Sequence, residues 1–139
     1  MEDRYLFKAK RIDNGEWVQG ALFNGESHCI IGQEIKFSPY TKHECKIVGY
    51  EVDRDTICQC TGLKDKNGKL IWENDILAGH LDDMYPENAT YAQVIWDKNG
   101  FYTKEQDSDD ISLMDEFDEK HFEVCGNIFD NKELLESEE

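Results

Sequence analysis

Cysteine and histidine are the residues in this chain best suited to hold a metal. Five cysteines occur, Cys29, Cys45, Cys58, Cys60 and Cys125, with His28 beside Cys29 and His43-Glu44 beside Cys45. A Cys/His zinc site needs four ligands on converging loops, usually with Cys-x2-4-Cys spacing. The nearest pair, Cys58-Gln59-Cys60, has a single intervening residue. On a strand that spacing puts both thiols on one face about 7 Å apart along the chain, which does not build a chelating turn. The reading adopted is that these are small apolar residues, because free cysteine is often buried. An odd number of cysteines without secretory context does not make a disulfide framework either.

Proton transfer has two candidates. His121, beside Phe122, is the best isolated general base. Asp75 follows a turn and could serve as a base, but an aspartate in that position more often bonds nearby backbone N–H groups. Asp107, Asp109 and Asp110 resemble the start of a calcium loop, yet the glycine and distal glutamate do not follow at the required places. The chain has no phosphate-binding glycine loop, no nucleophile elbow and no His-x-x-x-His pair. No catalytic, cofactor-binding or metal residue is therefore nominated, and the expectation is a protein that is not an enzyme.

Charge narrows the partners. Residues 1–72 hold 11 acidic and 11 basic side chains, whereas residues 73–139 hold 20 acidic and 4 basic ones and carry the whole net charge of −16. Nucleic-acid affinity comes largely from Lys and Arg displacing counterions, so a field of this sign disfavours sequence-independent DNA binding. A basic groove would have to use Lys8, Lys10, Arg11, Lys64, Lys66 and Lys69. The acidic half reads first as a solubilising surface. The sharper alternative is a surface that engages a basic partner or imitates DNA.

Short strand-like runs between Gly/Asn/Asp turns must position these residues. Tyr5, Phe7 and Ala9 alternate in Arg4–Lys10, and Glu16–Phe23 follows the Asp13-Asn14-Gly15 turn. Asn24-Gly25 predicts a tight hairpin, since both residues tolerate positive φ. Cys29–Ile31 and Glu34–Phe37 read as two short pieces ahead of Ser38-Pro39, and Cys45–Val52 and Thr56–Cys60 as strands. Asn67-Gly68 closes a hairpin into Lys69–Trp72, after which Ile76-Leu77 returns to the core. Leu81–Asn88 and Gln106–Asp110 read as loops, the second of them acidic. Thr90–Asp97 alternates strongly, with Ala92, Val94 and Trp96 on one face, and turns at Asn99-Gly100 into Phe101–Lys104. Ile111–Met114 is a short strand or helical turn, His121–Phe129 the last strand, and Asn131 a cap for a short helix over Lys132–Glu136.

Strands outnumber helices and no βαβ rhythm occurs, so the expected fold is all-β, mostly antiparallel and barrel-like, with little helix. A chain of 139 residues reads as a single domain over 1–139, with 1–52 as an N-terminal β subdomain and 53–139 as the main barrel-like part. No apolar run approaches the roughly 20 residues of a membrane span, and residues 1–11 contain no secretory signal. The expectation is a cytoplasmic protein.

The order of motifs resembles the YopX family, small proteins encoded in bacteriophages and prophages of Gram-positive bacteria. Tyr5–Lys10 with Asn14-Gly15-Glu16-Trp17-Val18-Gln19-Gly20 is similar to its opening strand and hairpin. Val52–Ile57, Thr61–Gly68, Ile71–Ile76 and Glu123–Leu135 match its later steps in sequence, so the resemblance runs nearly end to end. Cys60 stands where an aromatic is usual and Cys125 where a branched aliphatic is usual, which suits core or half-core positions. Asn74 replaces a usual glycine and is the next best residue for positive φ. The resemblance implies a β-rich fold and a phage context; it implies no catalytic group and no cofactor.

The resulting expectation is a non-catalytic phage or prophage accessory protein that binds another protein, phage or host, and self-associates through exposed strand edges. The alternatives are a small-barrel nucleic-acid binder and an acidic decoy of a DNA-binding protein. Trp17, Trp72 and Trp96 could supply the contact or fill the core, and the core is preferred for Trp96.

Overall fold

A computed structural model describes residues 5–36, 45–80, 89–98, 100–106, 111–114 and 120–135. Eleven strands run through them: β1 Phe7–Lys10, β2 Trp17–Asn24, β3 Cys29–Lys36, β4 Cys45–Glu51, β5 Cys58–Lys64, β6 Leu70–Trp72, β7 Asp75–His80, β8 Ala89–Asp97, β9 Gly100–Glu105, β10 Ile111–Leu113 and β11 Phe122–Asn127. The eight strand pairings whose register is described are antiparallel. Helix among the described residues is confined to Lys120 and His121 and to 3-10 turns, notably Arg54–Thr56 and Lys132–Leu135. No helix among the described residues is long and apolar enough to cross a membrane. The all-β expectation holds, but the sheets are not closed into a barrel.

The chain divides into two compact units, Met1–Cys60 and Thr61–Glu139. The division falls inside β5, whose first residues pair with β1 while Asp65 N–H, just beyond its end, donates to Lys69 O at the start of β6.

In the first unit the strand order is β4-β3-β2-β1-β5. β2 is the corner: Trp17–Gly20 pair with β1 and Ala21–Asn24 with β3. Gly20 sits at the change of partner, where a Cβ would run into Gly32 O, so only glycine lets the two backbones approach. The sheet curls until Arg11 and Val52 form one bridge, with Ile12 N–H donating to Glu51 O at 3.0 Å and Asp53 N–H to Lys10 O at 2.8 Å. Closure stops there. Ala9, Val18, Cys29, Ile31 and Val52 fill the concave side, with Phe7, Leu22, Tyr50 and Ile57 around them. The two short pieces expected around Gly32 are one strand, because Gly32 continues the ladders to Ala21 and Gly49. The turn after Asn24 is longer than a tight Asn-Gly hairpin: Gly25 N–H donates to His28 O.

In the second unit a five-stranded sheet has the order β10-β9-β8-β7-β11. Ile71, Leu77, Val94 and Met114 form its core with Leu63, Phe101, Phe122 and Val124. Ala92 and Val94 are buried as their alternation predicts, but Trp96 is 49% exposed, which corrects its expected core placement. It shares their face only at the strand's end, where Phe101 covers one edge at a centroid distance of 4.9 Å. Trp72 is the buried tryptophan. Alternation in β11 also fails midway. Val124 pairs with Leu77 and Gly126 with Ile76, so Cys125 is the extra residue of a bulge and is exposed rather than half-core. Asn74 takes φ 70°, as expected of the residue in the glycine position.

Asp65 joins the β5–β6 turn to β11. Its Oδ1 accepts Asn67 N–H and Lys69 N–H, both at 2.9 Å, and its Oδ2 accepts Val124 N–H at 2.9 Å. Burial alone would raise this carboxyl, but those three backbone donors and the Lys69 charge outweigh it and hold the pKa below the ordinary aspartate value. Asn131 does not cap the last turn with its side chain; its Oδ1 accepts Asn127 N–H, and a Cβ on Gly126 would collide with it.

Two outcomes follow. A depressed carboxyl contributes stability that is complete above the unfolded pKa and is lost as pH falls through the folded value. Asp65→Asn should therefore cost about 1–3 kcal/mol at neutral pH in urea titrations and flatten the loss of stability below the ordinary aspartate range. Gly126→Ala should lower the melting temperature, and Gly126→Ala with Asn131→Ala should recover part of that loss.

Candidate functional site

The first unit carries a cleft of about 400 Å³ where the ends of β1 and β4 meet the β2–β3 loop and the Arg54–Thr56 turn. Lys10, Arg11, His28, Glu51, Asp53 and Arg54 line it. His28 stands at the close of the β2–β3 loop and Glu51 at the end of β4, opposite Ile30 in the ladder, so the register sets His28 Nδ1 2.9 Å from Glu51 Oε1. The pair is open to solvent, with side chains 64% and 51% exposed.

The other charged groups of the cleft are held by the fold. Arg54 donates to Asn24 Oδ1 at 2.8 Å, to Gly25 O at 2.6 Å and to Glu26 O at 3.3 Å, so it supports the loop that presents His28. Asp53 Oδ1 accepts Asp55 N–H and caps the 3-10 turn. Arg11 forms a two-pronged pair with Asp13 at 2.6 and 3.0 Å, and its guanidinium lies 4.5 Å from the Tyr50 ring centroid. That hydrogen-bonded pairing raises the Arg11 pKa and lowers that of Asp13. The cleft thus has one exposed His–Glu pair within a frame of structural charges, and no nucleophile–base pair is formed among its described residues.

A second feature lies on the convex face of the same sheet. The ladder register puts Phe23 opposite Ile30 and Ala21 opposite Gly32, which in turn faces Gly49, while Ile47 lies two pairs further along β4 opposite Glu34. Residues opposite one another share a face, so an apolar patch crosses β2, β3 and β4 without the core beneath it. Phe23 is 63% and Ile47 77% exposed. Beside it, Lys8 and Lys10 place their ammonium groups 5.0 and 5.5 Å from the Trp17 ring centroid.

The sequence-nominated residues are scattered. His121 is exposed at the start of β11 in the second unit. Asp75 is buried and accepts Trp72 N–H at 2.8 Å, the backbone role rather than the base. His28 and Cys29 point apart: His28 faces Glu51, whereas Cys29 is buried and its thiol donates to Asn24 Oδ1 at 3.2 Å. Cys58 and Cys60 are both buried, and the Cys58 thiol donates to Thr56 O. Although Cys125 as a residue is exposed, its thiol is partly shielded and donates to Ile76 O, and that partial desolvation is the leading cause that raises its pKa. His43, Glu44, the Cys45 side chain and Asp107, Asp109 and Asp110 lie outside the described residues, as do Ser38-Pro39 and the loop over 81–88. No group of three His, Cys, Asp or Glu side chains suited to a metal occurs among the described residues. Of the six basic residues considered for a nucleic-acid groove, Lys8, Lys10 and Arg11 belong to the first unit and Lys64, Lys66 and Lys69 to the second. Sequence reasoning missed the His28–Glu51 pair, since its partners are 23 positions apart and meet only through the β3–β4 register.

The arrangement of motifs agrees with comparison to known proteins. The family model described as "YopX protein" matches residues 6–136. The chain belongs to the YopX family. It is also similar to the crystal structure of protein EF1440 from Enterococcus faecalis, with 28% identity over 94% of this chain and 96% of that one and a TM-score of 0.59. No curated protein matches.

Arg54→Ala should destabilise the first unit by about 1–2 kcal/mol through loss of its charged hydrogen bonds and speed amide exchange at Gly25. Arg54→Lys should not restore protection, because an ammonium cannot span Asn24 Oδ1 and Gly25 O as the guanidinium fork does.

Proposed function

We propose that this YopX-family chain is a non-catalytic protein-binding module, a phage or prophage accessory protein that engages another protein in the bacterial cytoplasm. The observation that carries the reading is the convex apolar patch of β2, β3 and β4, with Phe23 and Ile47 well exposed. Apolar area of this kind on a sheet face is a liability in a monomer and gains free energy when a partner covers it. The cleft supports the non-catalytic part, because Arg11, Asp13, Asp53 and Arg54 serve loops and turns. The partner is read as a cationic protein: the net charge of −16, carried by residues 73–139, gives the chain a long-range field that draws positive proteins and repels further acidic ones.

The nucleic-acid reading has less support. Lys8 and Lys10 already lie over Trp17, so the aromatic face that would stack on a base is occupied. The net charge opposes the backbone contacts such binding needs.

Affinity capture from phage-infected or prophage-induced cells tests the reading, with wild type beside Phe23→Asp and both nucleic acid and protein identified. The expected result is a stoichiometric protein that resists nuclease and is lost from Phe23→Asp, while that variant's melting temperature stays within a few degrees of wild type (about 1 kcal/mol). Nucleic acid removable by nuclease, with no stoichiometric protein, would overturn it.

A further inference from the structure

The edge of the same sheet points to how the partner is held. β4 ends the strand order, and no described strand pairs with its outer side. Which backbone groups face that side follows from the ladder. Val52 N–H donates to Cys29 O at 2.9 Å, so Cys29 and Val52 are a hydrogen-bonded pair. Antiparallel pairs alternate; hence Tyr50, Val48 and Lys46 bond β3, while Ile47, Gly49 and Glu51 turn their N–H and C=O groups outward. The bond from Ile12 N–H to Glu51 O confirms the phase, because it reaches β4 from that outer side.

The edge therefore has a fixed stop and an open stretch. Ile12 occupies it at Glu51, and no described residue pairs with the outward groups of Ile47 and Gly49. A groove of about 250 Å³ lies at the stop, between Arg11–Asp13 and Gly49–Glu51. Its wall is firm, since Arg11 is clamped by Asp13 and Tyr50. Ile47 (77% exposed) projects beside the open groups, and Ile12 (61% exposed) flanks the groove. Natural edge strands are usually blunted by charged side chains such as lysine, by proline, by bulges or by a cover. Here Lys46 is the one charged side chain in the open part, and the described β3–β4 ladder has no break.

We propose that β4 receives an added strand, an extended segment of a cationic protein whose main chain pairs with Ile47 and Gly49 and whose alternate apolar side chains lie against Ile47 and in the groove beside Ile12. The proposal rests on the protein-binding reading above and names its mode. In strand addition the main-chain bonds give affinity and alternate side-chain pockets give selectivity. The occupant is a positive partner rather than a second copy because two chains of net charge −16 repel. Salt acts oppositely on the two: it weakens attraction to a cationic segment and relieves repulsion between copies.

The test uses the full chain and random peptides displayed for selection at low ionic strength, with selected peptides synthesised and titrated against wild type, Ile47→Thr, Ile47→Pro and Phe23→Asp. Ile47→Thr removes the aliphatic side chain but keeps the outward N–H; Ile47→Pro removes both, and neither touches the bonds to β3. The expected peptides alternate β-branched with Lys or Arg residues and bind more weakly as salt rises. Ile47→Pro should weaken them about tenfold or more beyond Ile47→Thr, the scale of lost main-chain bonds. In wild type, amide exchange at Ile47 and Gly49 should slow when peptide is added, a readout that does not depend on any variant folding. Equal weakening by Ile47→Thr and Ile47→Pro, with amides unprotected and Phe23→Asp inactive, would overturn strand addition and leave the apolar-face reading standing. Selected peptides indifferent to all three variants would overturn both. Protection of these amides without peptide, rising with protein concentration and salt, would replace the cationic partner with a second copy.

Discussion

One buried carboxylate, Asp65, holds together segments that local sequence preferences would leave apart. The β5–β6 turn and the bulged strand β11 are nearly sixty positions apart, and the same side chain accepts Asn67, Lys69 and Val124 N–H groups. A buried anion is tolerated only when its oxygens are satisfied, so the turn must adopt the geometry that supplies two donors and β11 must present the third. Fixing Val124 there fixes which residues of β11 face Leu77 and where the extra residue Cys125 is placed. Asp75 repeats the principle on a smaller scale, satisfying Trp72 N–H at the reversal between β6 and β7. With so little helix among the described residues, such side-chain acceptors take up the backbone N–H groups that strand pairing leaves over.

The first unit solves a different problem. A small sheet with a five-residue buried core gains little from burial alone, so its curl depends on main-chain closure at Arg11–Val52 and on Gly20 at the corner. The curl also creates its surfaces. Bending β1–β4 toward one another puts Ala9, Val18 and Ile31 inside and leaves Phe23, Ile30 and Ile47 on the convex side. It brings the ends of β1 and β4 together, which is why the cleft is lined by charged residues from chain-distant turns. Among the described residues, the same bend that makes a core therefore also leaves apolar side chains exposed on the other face and the ladder incomplete at the β4 edge.

The net charge and the β2–β4 apolar face are separated along the chain. The acidic excess belongs to residues 73–139, whereas the apolar convex face and the open strand edge belong to the first sixty residues. That separation suits an electrostatic field that acts at long range with short-range contacts that act only after encounter.

Much of the strand pattern was legible in the sequence because it is local. Alternation marked Ala92 and Val94 as buried, the Asp65–Gly68 string marked a hairpin, and Asn74 in a glycine position marked positive φ. The string of motifs also marked the family. Tertiary structure decided what depends on partners. Trp96 follows the core alternation but runs past the end of its cover; Cys125 loses its place to a bulge set by Asp65 and Asn131; Gly32 interrupts nothing because both neighbours pair with it. The barrel expected from the run of strands stops at one bridge, since closure depends on accumulated bend and stagger rather than on any residue type. His28 and Glu51 likewise meet only because the β3–β4 register sets them side by side. The sequence by itself determined a β-rich YopX chain with a lopsided charge, because alternation, turn residues and ionisable groups are properties of single residues and short windows. Only the tertiary structure decided which strand edge lacks a described partner and which apolar side chains are exposed among the described residues, because both depend on pairings between residues far apart in the chain.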